Sequence, residues 1–247
     1  MKSRCALLSI AILAAAATEA GAQAITFKYN PTVGTVTHYR ITSRMWAAAD
    51  TSGAPVMQSA MYQTQTILPM DGPNYVVKTV FDSTVMGGAP GGRDMLRGMA
   101  VTVHQDARGH VVSREVTPPP GLPPFVGNMM TKSNTSSGPN AREWPEGAIS
   151  PGYTWTDSMP FSVGRGRSTK QVMCHVVYKF ERVDHQGGGR VAVISTTLGT
   201  TAGDPCSGGG ETAFDLDGSR LVHTSIDVAI TSSDGPAHVK TLMETVP

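Results

Sequence analysis

The chain has 247 residues, of which 40% are hydrophobic and 16% charged, with a formal net charge of +1. That hydrophobic content excludes a disordered chain, and the near-neutral charge excludes the broad basic field that nucleic-acid binding draws on. Its 27 glycines and 17 prolines point to many turns and few long helices.

Lys2 and Arg4 precede an apolar run over residues 6–17, and Ala20-Gly21-Ala22 then supplies small residues where a signal peptidase reads. This is the pattern of a secretory signal peptide over residues 1–22. Ala22-Gln23-Ala24 offers a second cut of the same form. The run is too short to span a bilayer, and no later stretch approaches the roughly 18 apolar residues that a membrane helix needs. The expectation is an exported protein, periplasmic or secreted, with no transmembrane segment. Cys5 precedes the apolar run, so it leaves with the leader.

Period-two alternation dominates the chain beyond the leader. Tyr39 and Ile41 alternate with His38, Arg40 and Thr42, and residues 75–85 are rich in β-branched side chains. Asp106-Ala107-Arg108-Gly109 separates two short β runs and predicts a hairpin, because it puts a residue tolerant of positive φ at the turn. Met95, Leu96 and Met99 predict about two helical turns over residues 93–100. Phe125, Val126, Met129 and Met130 predict another short helical piece within residues 122–132. Residues 118–150, with Pro118-Pro119-Pro120, Pro123-Pro124 and a run of Ser, Asn, Thr and Gly, read as a connector.

Beyond it, Val172, Cys174, Val176, Tyr178 and Phe180 share one parity, opposite Gln171, His175, Lys179 and Glu181. That is a half-buried antiparallel strand. Gly187-Gly188-Gly189 joins it to a strand over residues 191–198. Asp217-Gly218 then turns a last hairpin into the alternating Val222, Ile226, Val228 and Ile230.

Each half therefore runs strand, strand, hairpin. The expected organisation is a first β-meander over residues 23–117, the connector over 118–150, and a second meander over 151–247, combined in one domain. Either a duplication or the ordinary regularity of meanders gives this likeness. The fold class is mainly β: a large curved antiparallel sheet, forming a half-open barrel or a sandwich, with one or two short helices.

Several residues carry a resemblance: the leader, Pro31-x-x-Gly34, Trp144-Pro145 followed by Pro151-Gly152-Tyr153-Thr154-Trp155, and Asp215-Leu216-Asp217-Gly218-Ser219-Arg220-Leu221-Val222. On these the chain resembles an uncharacterised family of exported bacterial proteins, a domain of unknown function. Its plan is also similar to the half-barrel carriers that ferry lipid or lipoprotein across bacterial envelopes. The resemblance brings no functional residues with it.

Linear motifs for catalysis, metals and cofactors are missing. Asp50-Thr51-Ser52-Gly53 lacks the Gly directly after Thr that an aspartic-protease loop needs, and has no second copy. Asp215-Leu216-Asp217-Gly218 opens like a calcium loop but continues into Leu221-Val222, where further oxygen ligands are required. His104 and His110 flank one hairpin without a third metal ligand. There is no nucleophile elbow, and Gly87-Gly88-Ala89-Pro90-Gly91-Gly92 lacks the Lys-Ser/Thr ending of a phosphate loop.

Cys174 and Cys206 remain after export and are expected to form a disulfide in an oxidising compartment, with two unpaired residues as the alternative. Thirteen methionines are present. Met86, Met95, Met99, Met129 and Met130 are the candidate lining of an apolar site, with methionine as core filler the other reading. The chain is thus expected to be a non-enzymatic exported protein that binds an apolar small molecule or lipid. A structural or protein-interaction module of the envelope is the alternative, and a hydrolase with a dispersed site a third.

Overall fold

The computed structural model describes residues 24–47, 51–87, 94, 96–121, 144–163, 170–186, 188–199, 203–232 and 235–247. The first half contributes β1 (Ile25–Thr26), β2 (Val36–Trp46), β3 (Met57–Asp71), β4 (Asn74–Gly87), β5 (Ala100–Gln105) and β6 (Val111–Thr117). The second contributes β7 (Ala148–Ile149), β8 (Thr154–Val163), β9 (Lys170–Gln186), β10 (Gly189–Leu198), β11 (Cys206–Asp215), β12 (Arg220–Ser232) and β13 (Gly235–Val246). Eleven of them form one antiparallel sheet in the order β6-β5-β4-β3-β2-β13-β12-β11-β10-β9-β8. The sheet is curved and does not close into a barrel. Within that sheet β2–β6 and β8–β13 each run as consecutive neighbours, the β2–β13 pairing is the seam between the two runs, and β1 and β7 pair separately.

Local chemistry explains the turns. Asp106 Oδ1 accepts from the backbone N–H groups of Arg108 (2.8 Å) and His110 (3.0 Å), and Gly109 takes φ 79°. Asp215 Oδ1 does the same for Asp217 (3.1 Å) and Gly218 (2.8 Å). These are side-chain mimics of a backbone turn. In β9 the predicted parity holds: Cys174, Val176 and Phe180 are fully buried, while His175 and Lys179 are exposed.

The helical expectation for residues 93–100 is wrong. Leu96, Arg97 and Gly98 form a turn, with Arg97 N–H donating to Asp94 O and Met99 N–H to Leu96 O. Gly98 at φ 81° ends it, and Gly98 and Met99 exchange backbone bonds with Phe81, so the chain is already joining the sheet. The other helical expectation, residues 122–132, lies outside the described residues. Among the described residues there is no helix, and none long and apolar enough to cross a membrane.

One face of the sheet carries the core. A strap from Ile25 to Asn30, paired through β1 with β7, lies across it. Phe27 stacks on Trp144 at 4.6 Å and meets Phe180 edge-on at 5.8 Å, while Trp144 packs on Phe214 at 4.8 Å. Cys174, Val176, Ile194, Val228 and Ile230 complete this cluster beneath β9–β12. The strap then reaches the other half: Tyr29 N–H donates to Ala107 O (2.8 Å), and Tyr29 joins Ile67, Tyr75 and Val77 in a smaller cluster. Ser219 holds its middle, accepting from Asn30 N–H (3.0 Å) and donating to Lys28 O (3.3 Å).

Burial raises the Tyr39 hydroxyl to about 12 and raises that of Tyr29 as well. Above pH about 10 the unfolded chain releases these protons while the folded chain keeps them, so stability falls as pH rises. Denaturation between pH 9 and 11.5 should show that slope, and Tyr39→Phe should remove its share of it. Phe27→Ala should cost about 3–5 kcal/mol, by lost transfer energy and the cavity left under Trp144, read from chemical denaturation.

Candidate ligand-binding face

Residues directly opposite each other across paired strands point to the same side of a sheet. Tyr39, 1% exposed, therefore marks the core face of β2, and Ile41, Ser43 and Met45 follow it on alternate positions. The register extends three rows from there. Ile41 pairs with Met243 on β13 and Met61 on β3, and Met61 with Thr84 on β4. Ser43 pairs with Thr241 and Ser59, and Ser59 with Met86. Met45 pairs with Val239 and Met57. Five thioether side chains thus share one stretch of the core face. Met57 and Met86 are each 39% exposed, and Met45, Met61, Met243 and Ile41 are half-buried.

This stretch adjoins the main core through Val239 and Ile226, which pack against it. Thr84 sits at its margin, 3% exposed, and among the described residues its Oγ1 has no hydrogen-bond partner. A buried hydroxyl left in that state costs about 1–3 kcal/mol.

Of the sequence-based lining, Met86 lies on this face. Met99 does not line an open surface: it is 2% exposed, with its carbonyl accepting from Phe81 N–H. Met95, Met129 and Met130 lie outside the described residues. Met45, Met57, Met61 and Met243 were missing from that lining. The shared parity of Met57, Ser59 and Met61 was the available signal, but only the register brings three other strands beside them.

The opposite face has different chemistry. A cleft of about 470 Å³ there is bordered by Arg44, Lys240, Asp227 and the backbone of Gly209. Asp227 accepts from Lys240 Nζ at 2.9 Å and is hydrogen-bonded to His238. Burial raises the pKa of its carboxyl, but the bonds from Lys240 and His238 outweigh this and hold it below the usual range. Also on this face, Thr64 Oγ1 donates to Asp82 Oδ2 (2.7 Å) and lies 3.0 Å from His38 Nδ1. Its proton is thus directed at the carboxylate, whereas a Ser/Thr nucleophile needs it directed at the base.

The calcium-like residues are otherwise engaged. Asp217 accepts from Arg190 Nη2 (2.7 Å) and Nε (3.1 Å), and Asp215 from Arg220 Nε (3.2 Å). His104 meets Asp71 at 3.3 Å. Among the described residues, one group of three has metal-ligand spacing: Cys174, Asp204 and Cys206.

Two of those three are joined to each other. Cys174 and Cys206 form a disulfide, with Cα atoms 5.6 Å apart. They meet just beyond Leu198, the last residue of β10, which pairs with Val176 on one side and Gly208 on the other. The bond clamps β9 to β11 where β10 stops. It closes a loop with sequence separation 32, so the double variant Cys174→Ala/Cys206→Ala should lose about 3–4 kcal/mol in denaturant unfolding. Thiol titration of the unreduced wild type under denaturant should find neither sulfur free.

No family model matches the chain, and no curated protein matches it. Among solved structures, the crystal structure of a DUF1329 family protein from Desulfovibrio piger is similar over 85% of this chain and 84% of that one. The identity is 10% and the TM-score 0.28, a likeness too slight to carry an argument.

Proposed function

We propose that this is an exported, non-enzymatic protein that binds an apolar or lipid-like ligand in the cell envelope, on the methionine rows of its core face. The observation that carries the reading is the Met45, Met57, Met61, Met86 and Met243 surface, which continues the core and is left half-covered. Methionine is unbranched and polarizable, so such a surface adapts to apolar ligands of varied shape. The leader pattern and the Cys174–Cys206 bond support export.

A second reading, an interaction module of the envelope, draws on the sheet's ends. Strand β8 carries Pro160, a residue that blunts edge pairing. Strand β6 carries no proline and leaves Val112 56% exposed. Crosslinking with a photoreactive residue at Val112 separates the two: a specific protein adduct there, without a bound small molecule, favours the module.

Native mass spectrometry of the protein purified from its own envelope should find a co-purifying apolar species. The fluorescent apolar probe N-phenyl-1-naphthylamine should bind, and Met57→Asp/Met86→Asp should weaken it more than about tenfold, since each lost Met contact is worth roughly 1.5–3 kcal/mol at full burial. Repeatedly ligand-free protein and an unchanged probe affinity would overturn the reading.

A further inference from the structure

The methionine rows hold a set of donor atoms that the apolar-ligand reading leaves unused. Met57 has a thioether neighbour on each side. Met45 lies directly opposite it on β2, and Met86 on β4 lies opposite Ser59, the next core-face position along β3. Directly opposed side chains start about 5 Å apart at Cβ, and diagonal ones at most about 7–8 Å apart. Methionine is unbranched with several rotatable bonds, so three sulfurs reach a common point from those positions. Met61, the core-face position beyond Ser59, approaches Met86 along the other diagonal. None of the other residues in these rows is charged, and none is a His or Cys. Cys174 and Cys206 are bonded to each other, so neither offers a thiolate.

We propose that Met45, Met57 and Met86 form a site for a soft monovalent cation, Cu(I) in the cell, bound by thioether sulfur alone. The donor chemistry selects the ion. Thioether is soft and neutral and suits Cu(I), whereas harder and borderline divalent ions take imidazole, carboxylate or water. Charge points the same way. The rows supply no carboxylate, and the desolvation cost of an ion grows as the square of its charge, so a monovalent ion is favoured over Zn(II) or Cu(II). Met57 and Met86, each 39% exposed, admit the ion from solvent, and half-buried Met45 backs them. Thioethers stay unprotonated where imidazole and thiol titrate, so no proton competes for the site. In an oxidising compartment thiols pair off, as Cys174 and Cys206 do, while thioethers remain open as ligands. This goes beyond the apolar-ligand reading and makes a different demand on the same side chains, sulfur in place of apolar area.

Leucine separates the two demands, because it keeps the volume and apolarity of methionine without the sulfur. Calorimetric titration of the purified protein with silver ion in chloride-free buffer is the test. Silver is a soft stand-in for Cu(I) that needs no reductant, so the disulfide stays intact. About one tight site per chain should appear. Met57→Leu/Met86→Leu should weaken it at least about a hundredfold and Met45→Leu at least about tenfold. Met173→Leu, at a thioether on β9 that is 52% exposed, should change nothing. Affinity should change less than about twofold between pH 5 and 8, since no ligand titrates there. Near-ultraviolet circular dichroism checks that the leucine variants are folded, and the comparison of silver with Zn(II) needs no variant. Zn(II) bound as tightly as silver, affinity that falls with acid as an imidazole site does, or full silver affinity in Met57→Leu/Met86→Leu would each overturn the proposal. Protein that takes up N-phenyl-1-naphthylamine but no silver would overturn the metal site and leave the apolar surface standing. Silver binding at these methionines without probe binding would support the metal site and overturn the apolar-ligand reading.

Discussion

An antiparallel sheet of eleven strands that does not close on itself has a face with nothing in the sheet to pack against. Water on that face would cost most of the apolar burial that stabilises a domain of this size. Phe27 and Trp144, stacked nearly parallel with an interplanar angle of 8°, resolve this for one half. They come from two segments distant in sequence, and β1–β7 pairing presents them together to Phe180 and Phe214. The same segments then bind the halves to each other. Trp144 N–H donates to Arg108 O at 3.1 Å, and the Arg108 guanidinium returns bonds to Trp144 O (3.2 Å) and Glu146 Oε1 (2.7 Å). The tip of the β5–β6 hairpin is thus tied to the strap, well away from the β2–β13 seam.

Where the strap stops, the residue types change. Under Phe27 and Trp144 the face is aromatic and branched aliphatic: Tyr178, Phe180, Ile194, Val228 and Ile230, each nearly or fully buried. Toward β2 and β3 it becomes Met, Ser and Thr, half-buried. Aromatic and β-branched side chains have few rotamers and suit a fixed partner. Thioethers have many and suit a partner whose shape varies.

That division explains what was legible in the sequence. Strands β9, β10 and β12 stand out because the strap covers one face fully, so alternation between buried and exposed is sharp. The turns at Asp106 and Asp215 stand out because turn chemistry is local. Strand β3 was illegible: with Gln63, Gln65, Ser59 and Met57 on the core side, neither parity is clearly apolar. Strand β13 hides behind Gly235-Pro236 and a similar mixture of Thr and Met. Residues 93–100 mislead in the opposite sense, since Leu96 and Met99 fit a helical spacing that a turn ending at Gly98 satisfies equally. Trp144 was visible as a motif residue, but its place in the core depends on pairing with residues more than a hundred positions earlier. The methionine rows are illegible for the same reason, being a property of register and not of any segment.

Strand β11, separated from β13 by β12, shows how closely the backbone itself is engaged in the sheet. A Cβ added at Gly208 or Gly210 would overlap the carbonyl oxygens of Asp227 or Ser225 on β12, and one at Gly209 would overlap that of Thr196 on β10. Gly208 also has φ 133°, a conformation that other residues rarely adopt. Three consecutive glycines are therefore a requirement of close strand approach. They also leave the core face of β11 without side chains between Cys206 and Thr212, directly beside Ile226 and Val228. Val228 and Ile230 of β12 still belong to the filled core, so the filled and half-covered parts of the face meet between β12 and β13. A ligand on the methionine rows would then border the permanent core without having to displace it, so occupancy and folding need not compete for the same contacts.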